Sequence, residues 1–280
     1  MIPFDFEYYQ PHTIKQAVDL FQSLRRKNKS VYYYGGGTEF ISRARTQEIH
    51  VDAIIDLKHI PECNGVFIKE ENIHLGSMVT LSELVDASIY PLLTDICLHI
   101  GHRTARNKIT LGGNLMSHLA YKEVVLSFLL TNSTLLIAKA DGGLRQMSMI
   151  EFCRNKFKLP ESEFIVQIIV EQKYTQLPFY YYRQTKQSTV NYPIVSVASI
   201  KSDNDIRVAF SGITSFPFRG IEIEQILNEE SVYSYSGKIQ TVLEKMSPKI
   251  LSDRNASLSF RKHLVEVALS EVIKKWEGVS

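Results

Sequence analysis

The stretch Thr110-Leu111-Gly112-Gly113-Asn114 constrains this chain more than any other, because two adjacent glycines stand between a Thr and an Asn. Glycine allows positive φ angles and lets a ligand approach the main chain closely. Successive backbone N–H groups in such a turn form a concave anion site, to which the Thr hydroxyl and the Asn amide can add donors. Many Gly-Gly pairs are ordinary turns, so this stretch predicts an anion site only together with a second observation.

A second glycine-rich stretch is that observation. The aromatic run 31–34 leads into Gly35-Gly36-Gly37, and Thr38 and Glu39 follow. Two glycine loops, each after a predicted strand and each with a hydroxyl side chain, can hold the two phosphates of one dinucleotide. Neither loop has the spacing of the Rossmann fingerprint or of the phosphate loop that ends in Gly-Lys-Ser/Thr. The sequence therefore predicts a nucleotide site of another type.

Composition narrows the class of protein. Of the 280 residues, 44% are hydrophobic and 22% are charged, with a net charge of +2. These values are typical of a soluble globular protein and argue against a nucleic-acid-binding protein. The three cysteines, Cys63, Cys97 and Cys153, have no CxxC spacing, which predicts reduced thiols and no metal or iron–sulfur site. Without an apolar run of membrane-spanning length or a signal peptide, we expect a cytoplasmic protein with no membrane or nucleic-acid partner.

The order of predicted elements indicates an α+β protein in two parts. Helical spacing predicts a first helix over residues 13–27, and the apolar run 52–57 predicts a buried strand. We expect residues 103–114 to form one long loop. Beyond Pro178 the pattern shifts to an antiparallel sheet covered by helices. The predicted strands there are 179–183, 193–201 and 206–213, and the predicted helices are 221–228, 236–246 and 257–277.

The two glycine-rich stretches and their order resemble a known family. Residues 35–39 resemble the first flavin phosphate loop in the FAD-binding subunits of molybdenum hydroxylases, the xanthine dehydrogenase and carbon monoxide dehydrogenase type. Residues 105–115 resemble the second loop of that family, which usually reads Arg-Asn-x-Ala-Thr-Ile-Gly-Gly-Asn-Leu/Ile. The resemblance is nearly full-length, because it continues at residues 75–80, 195–198 and 253–271.

This resemblance implies a fold and a division into domains. The family has an α+β, two-lobed FAD-binding domain that is PCMH-like, of the vanillyl-alcohol-oxidase type. A C-terminal antiparallel sheet packed with helices follows it. For this chain the resemblance implies a FAD-binding domain over residues 1–175, with lobes of about 1–55 and 56–175. It implies a C-terminal flavoprotein domain over residues 176–280.

The resemblance also implies which residues contact FAD. The two loops grip the diphosphate, and the segment after the second loop approaches the flavin ring. The implied contacts are Gly35, Gly36, Gly37, Thr38, Glu39, Thr110, Leu111, Gly112, Gly113, Asn114, Ser117, Glu123 and Tyr192. We expect no catalytic acid or base and no metal ligand in this chain. For Tyr192, a core tyrosine at the start of a strand is the alternative interpretation.

One segment departs from the family pattern. After the Gly-Gly-Asn motif the family usually has Ser-Pro or Asp-Pro and then an Asp that resembles a ribitol-binding carboxylate. Here residues 117–123 read Ser-His-Leu-Ala-Tyr-Lys-Glu, so the Pro is absent and Glu123 stands at or near the Asp. A Glu is one methylene longer and can still reach a hydroxyl. His118 and Tyr121 are unusual here, and a surface-loop role is the alternative to contact with flavin or substrate.

The implied function is electron transfer by the flavoprotein subunit of an oxidoreductase. In relatives a molybdopterin-binding large subunit hydroxylates the substrate, and a small subunit with two [2Fe–2S] clusters passes the electrons on. The FAD subunit delivers them to NAD⁺ or another acceptor. A non-catalytic scaffold or assembly subunit with weakened or lost flavin binding is the alternative, motivated by residues 117–123. A stand-alone flavin reductase would need a Ser or Cys proton donor, for which no spacing in the sequence argues.

Overall fold

The computed structural model describes residues 1–119, 121–186, 192–203, 205–229 and 235–277. The chain divides into two compact units. The first contains residues 1–89, 97–117 and 133–172, and the second contains residues 90–96, 118–132 and the C-terminal part from Lys173. The limit at 172 is near the predicted domain limit at 175, but residues 90–96 and 118–132 pack with the C-terminal part. The domain limits drawn from the resemblance stay predictions.

The first unit begins with a three-stranded parallel sheet in the order β1-β3-β2. The strands are β1 (Glu7–Tyr9), β2 (Val31–Tyr34) and β3 (Ala53–Asp56). Helix α1 (Ile14–Arg26) begins where the Thr13 hydroxyl accepts a hydrogen bond from the Gln16 N–H, and it buries an apolar face. Helix α2 (Thr38–Arg45) follows β2 directly after the three glycines.

The second sheet of this unit has five antiparallel strands in the order β4-β5-β8-β6-β7. They are β4 (Val66–Lys69), β5 (Asn72–Gly76), β6 (Thr134–Ala138), β7 (Leu144–Ser148) and β8 (Phe164–Glu171). Around them lie α3 (Leu81–Ala87), α8 (Met149–Arg154) and the 3₁₀ turns Leu57–His59 and Pro61–Cys63. The backbone of Thr80, at the start of α3, forms a β-bridge with Thr110, so the segment that follows β5 lies beside the second glycine-rich stretch.

Residues 103–114 are not one loop, which corrects the prediction. Two short helices, α5 (Arg103–Arg106) and α6 (Leu111–Met116), interrupt the segment. His102 caps α5 by accepting a hydrogen bond from the Ala105 N–H, and Thr110 caps α6 through its hydroxyl. A side-chain cap stabilises the first turn of a helix. The pattern missed α6 because two glycines lower helix propensity.

The second unit is an antiparallel sheet covered by helices, which confirms the predicted α+β class. Its strand order is β12-β11-β10-β9, and apolar side chains from the sheet and the helices form one core. The strands are β9 (Phe179–Thr185), β10 (Pro193–Ser202), β11 (Asp205–Ser211) and β12 (Phe218–Arg219). The helices are α7 (Val124–Leu130), α10 (Ile221–Asn228), α11 (Tyr235–Met246), the 3₁₀ turn Ser247–Lys249 and α12 (Leu258–Glu277). Helices α4 (Pro91–Leu98) and α9 (Gln172–Thr175) each contain a limit between the units, at 96/97 and 172/173.

Candidate functional site

The two glycine-rich stretches lie against each other in the first unit. A Cβ atom added to Gly36 would lie 1.7 Å from the carbonyl oxygen of Lys108, and one added to Gly35 would lie 2.8 Å from the Thr110 hydroxyl oxygen. Both distances are shorter than van der Waals contact, so only glycine allows the two backbones to approach this closely. The fold therefore joins two stretches that are about seventy residues apart in the sequence.

The first stretch ends in a left-handed turn that starts helix α2. Gly37 has a φ of 73° and precedes the first helical residue, and a Cβ atom there would lie 1.9 Å from the Tyr34 hydroxyl oxygen. Within the described part of the chain, the N–H groups of Gly36, Gly37 and Thr38 have no hydrogen-bond acceptor. Free N–H groups at the positive end of a helix dipole form a site for an anion.

The second stretch uses its backbone donors within the protein. The N–H groups of residues 111–114 donate to the carbonyl oxygens of Ser77, Val79 and Thr110 and to the Thr110 hydroxyl, at 2.7 to 3.2 Å. The expectation that these N–H groups are free to bind phosphate is therefore wrong, because helix α6 and its neighbours satisfy them. Sequence reasoning missed Ser77 and Val79 as acceptors, and no local pattern marks them.

The side chains of the second stretch differ in their availability. Leu111 is fully buried in the core of the unit, so its side chain is not open to a ligand. The Asn114 Oδ1 atom is buried and has no hydrogen-bond partner among the described residues. Such an atom is destabilising unless something satisfies it. It fits a ligand that brings a hydroxyl or amino group to this place.

The remaining predicted FAD contacts of this unit are exposed or partly buried. Thr38 is exposed at the start of α2, and Glu39 is partly buried. The Glu39 carboxylate lies 3.5 Å from the Arg43 guanidinium, one helical turn later. This pairing offsets the negative charge that Glu39 would present to an anion at the same helix end. Ser117 is partly buried and ends α6.

Glu123 lies in the second unit, inside a buried hydrogen-bond network. The carboxylate is 3% exposed and accepts hydrogen bonds from Tyr181 Oη at 2.6 Å, Ser196 Oγ at 2.7 Å and the Arg183 guanidinium at 2.9 and 3.3 Å. Burial, and then the nearby carboxylate, raises the pKa of Tyr181, so the phenol keeps its proton and donates. These contacts give Glu123 a structural role, and its contact with a cofactor stays a prediction.

Tyr192 also lies in the second unit and is 47% exposed, which corrects the alternative interpretation as a core tyrosine. Its ring stacks on that of Tyr121, with centroids 5.9 Å apart. Asn255 Nδ2 donates to the Tyr121 hydroxyl at 2.9 Å. The proposed contact of Tyr192 with a cofactor ring stays a prediction. His118 is exposed.

Cysteine and histidine side chains do not form a second site among the described residues. Cys63 and Cys97 are buried and Cys153 is partly buried, and none of the three is in a disulfide. Burial raises the pKa of Cys63 to about 12. No group of three or more His, Cys, Asp or Glu side chains is placed to hold a metal ion in this part of the chain.

None of the described helices is long and apolar enough to cross a membrane.

A family model and several known proteins match this sequence. A family model described as the FAD binding domain in molybdopterin dehydrogenase matches residues 4–171. The glyceraldehyde dehydrogenase medium chain of Sulfolobus acidocaldarius is 22% identical, with 98% of this chain and 99% of the relative covered. The carbon monoxide dehydrogenase medium chain of Hydrogenophaga pseudoflava is 25% identical, with 78% of each chain covered.

Solved structures show the same fold. A chain of quinoline 2-oxidoreductase from Pseudomonas putida 86 superposes with a TM-score of 0.83 at 20% sequence identity. The superposition covers 98% of this chain and 97% of the other. At this level of sequence identity the similarity shows the fold alone. The superposed residues include both units.

The matched segment contains both glycine-rich stretches, and the site fits the matched cofactor. The diphosphate of FAD can accept hydrogen bonds from the free N–H groups of Gly36, Gly37 and Thr38. It also has hydroxyl and amino groups that can satisfy Asn114. The family match also confirms the resemblance drawn from the sequence. The chain therefore belongs to the family of FAD-binding domains in molybdopterin dehydrogenases, and it is an FAD-binding oxidoreductase chain of the molybdenum hydroxylase type.

Proposed function

We propose that this chain is the electron-transfer subunit of a molybdenum-containing hydroxylase or dehydrogenase complex. It accepts electrons from iron–sulfur clusters on a partner chain and passes them to NAD⁺ or another acceptor. Bound FAD supplies the electron-transfer chemistry, while the protein binds and orients it. No side chain of this subunit acts as an acid or base on the substrate of the complex.

The contact between the two glycine-rich stretches is the observation that carries this proposal. Because Gly36 packs on the Lys108 carbonyl, the free N–H groups of residues 36–38 belong to the same part of the fold as the second stretch. We assign the FAD diphosphate to these N–H groups and a hydroxyl or amino group of FAD to Asn114. Backbone N–H groups at a helix N-terminus bind an anion without a metal ion.

The cysteine content supports separate partner chains for the clusters. One [2Fe–2S] cluster is usually held by four cysteines, whereas this chain has three, of which Cys63 and Cys97 are buried. Two of the relatives are medium chains of dehydrogenases. We therefore assign a molybdopterin-binding large subunit and a [2Fe–2S] small subunit as partners.

A second candidate function is a scaffold subunit with weakened flavin binding. One observation favours it: Glu123, which stands at or near the ribitol-binding Asp of the family, has its carboxylate engaged by Tyr181, Arg183 and Ser196. A carboxylate held in this way has little capacity left for a ribitol hydroxyl. The missing proline after Asn114 also favours weaker flavin binding, because the segment is less rigid without it.

The absorbance spectrum of the purified full chain separates the two functions. The protein is measured as isolated, and again after FAD is added and the excess is removed by desalting. We expect flavin absorbance bands that survive desalting, with FAD equimolar to the chain. A correctly folded chain that stays colourless contradicts the electron-transfer function and supports the scaffold function.

The electron acceptor and the partners need separate measurements. The FAD-loaded chain is reduced with dithionite without oxygen, and NAD⁺ or an artificial dye is then added. Flavin reoxidation with formation of NADH supports NAD⁺ as the acceptor, whereas reoxidation by the dye alone supports another acceptor. Molybdenum and iron that co-purify with the chain from its own cells support the assigned partners, and their absence from the native complex contradicts them.

A further inference from the structure

Lys58 contacts three groups around the first glycine-rich stretch. Its ammonium Nζ donates to the Gly35 carbonyl oxygen at 3.0 Å and to Asp56 Oδ2 at 2.7 Å. The same atom lies 4.6 Å from the centroid of the Tyr34 ring, a distance typical of a cation–π contact. The ammonium therefore holds the residue at which the glycine stretch begins.

Asp56 and Tyr8 hold this ammonium in place. The Asp56 carboxylate is fully buried, and it also accepts hydrogen bonds from the Lys58 backbone N–H at 3.0 Å and from the Tyr8 hydroxyl. Burial, and then the hydrogen bond to Asp56, raises the pKa of Tyr8 to about 12, so the phenol stays a donor at neutral pH. Charge-assisted hydrogen bonds of this kind are short and directional, so the position of Lys58 Nζ is well defined.

Peptide geometry transmits the Lys58 contact to the Gly36 N–H. A trans peptide is planar, so the Gly35 carbonyl and the Gly36 N–H point in opposite directions. A peptide between two glycines rotates easily, because neither residue has a Cβ atom. A carbonyl held by Lys58 therefore keeps the Gly36 N–H directed away from Lys58, where it has no acceptor among the described residues.

We propose that Lys58, anchored by Asp56, is a positioning residue for the FAD diphosphate, because it fixes the Gly35–Gly36 peptide with the Gly36 N–H towards the ligand. This inference rests on the proposed placement of the diphosphate at residues 36–38. Rotation of the peptide would present a carbonyl oxygen to the diphosphate and replace attraction with repulsion. Lys58 prevents this rotation and acts on the ligand only through the backbone.

Hydrogen–deuterium exchange of the FAD-free chain tests the positioning directly. Lys58→Met is compared with Lys69→Met, which removes the same charge from an exposed lysine of the same unit. In Lys58→Met we expect faster exchange of the Ile41 amide, whose N–H donates to the Gly37 carbonyl oxygen at 2.8 Å, with no change there in Lys69→Met. The same exchange in both variants overturns the inference. If Lys58→Met does not fold, Tyr8→Phe replaces it, because it loosens the same carboxylate.

The dissociation constant of FAD tests the consequence for binding. We expect Lys58→Met to weaken FAD binding roughly tenfold, the scale of one charge-assisted hydrogen bond, whereas Lys69→Met should leave the dissociation constant unchanged. Gly36→Ala separates this result from a failure of the proposed site. If Gly36→Ala weakens FAD binding and Lys58→Met does not, only the role of Lys58 is overturned. If neither variant weakens it, the placement of the diphosphate is overturned as well.

Discussion

Arg183 and Glu123 form a two-point ion pair inside the second unit, with Nε–Oε1 and Nη2–Oε2 distances of 2.9 and 3.3 Å. Both side chains are nearly excluded from solvent. The hydroxyl groups of Tyr181 and Ser196 donate to the same carboxylate. The pair and these hydroxyl groups therefore tie the segment that departs from the family pattern to strands β9 and β10.

Replacing Glu123 by Gln should destabilise the protein, because the nearly buried Arg183 guanidinium then loses its two-point contact with a carboxylate. We expect the free energy of unfolding to fall by about 3 kcal/mol, measured by urea unfolding. In the Glu123→Gln background, Arg183→Met should be less destabilising than in the wild type. Equal effects in both backgrounds would contradict a coupled pair. Glu271→Gln, from an exposed pair with Lys274, is the control and should change stability by less than about 0.5 kcal/mol.

Gly36→Ala should separate the two glycine-rich stretches, because its Cβ would lie 1.7 Å from the Lys108 carbonyl oxygen. Backbone atoms must move to relieve this contact, so we expect FAD affinity to fall by tenfold or more, roughly 1.4 kcal/mol. Gly143→Ala is the matched control, since its Cβ would meet only the flexible side chains of Asp141 and Lys139. Fluorescence titration with FAD gives both dissociation constants. An unchanged constant for Gly36→Ala would rule out the proposed site.

Asp253 should make stability depend on pH in the acidic range. Burial raises its pKa, but the N–H groups of Asn255 and Ala256, and then Arg261, lower it below the ordinary value. A carboxyl group whose pKa is lower in the folded state adds stability above its unfolded pKa, and this is lost as the pH falls. We expect the wild type to lose more stability than Asp253→Asn between about pH 5 and pH 3. Parallel urea-unfolding curves across this range would contradict the prediction.

The thiols should differ in reactivity. Cys63 and Cys97 are buried, whereas Cys153 is partly buried, and burial raises the pKa of Cys63 to about 12. Because the thiolate is the reactive form, we expect an aromatic disulfide reagent to label only Cys153 quickly in the native chain. All three cysteines should react after unfolding in denaturant. Cys153→Ser should remove the fast phase, and a fast phase that persists in this variant would show that a buried thiol is accessible.

Local patterns in the sequence predicted the fold class and several helices and strands, and the resemblance to a known family predicted the cofactor. Helical spacing predicted helices α1 and α12, and the antiparallel sheet after Pro178 is present as predicted. The two glycine-rich stretches pointed to a dinucleotide, and the family match confirms FAD. These properties depend on neighbouring residues, because helix periodicity and the freedom of glycine to adopt positive φ are local.

Only the tertiary structure decided which atoms of the site are available to a ligand. The donors of residues 111–114 are taken by Ser77, Val79 and Thr110, so free N–H groups remain at the first stretch. The partner of the Gly35 carbonyl is Lys58, 23 residues away, and that of Glu123 is Arg183, 60 residues away. Such hydrogen bonds depend on how distant segments pack within each unit. Residues that meet only through packing leave no periodic signal along the chain.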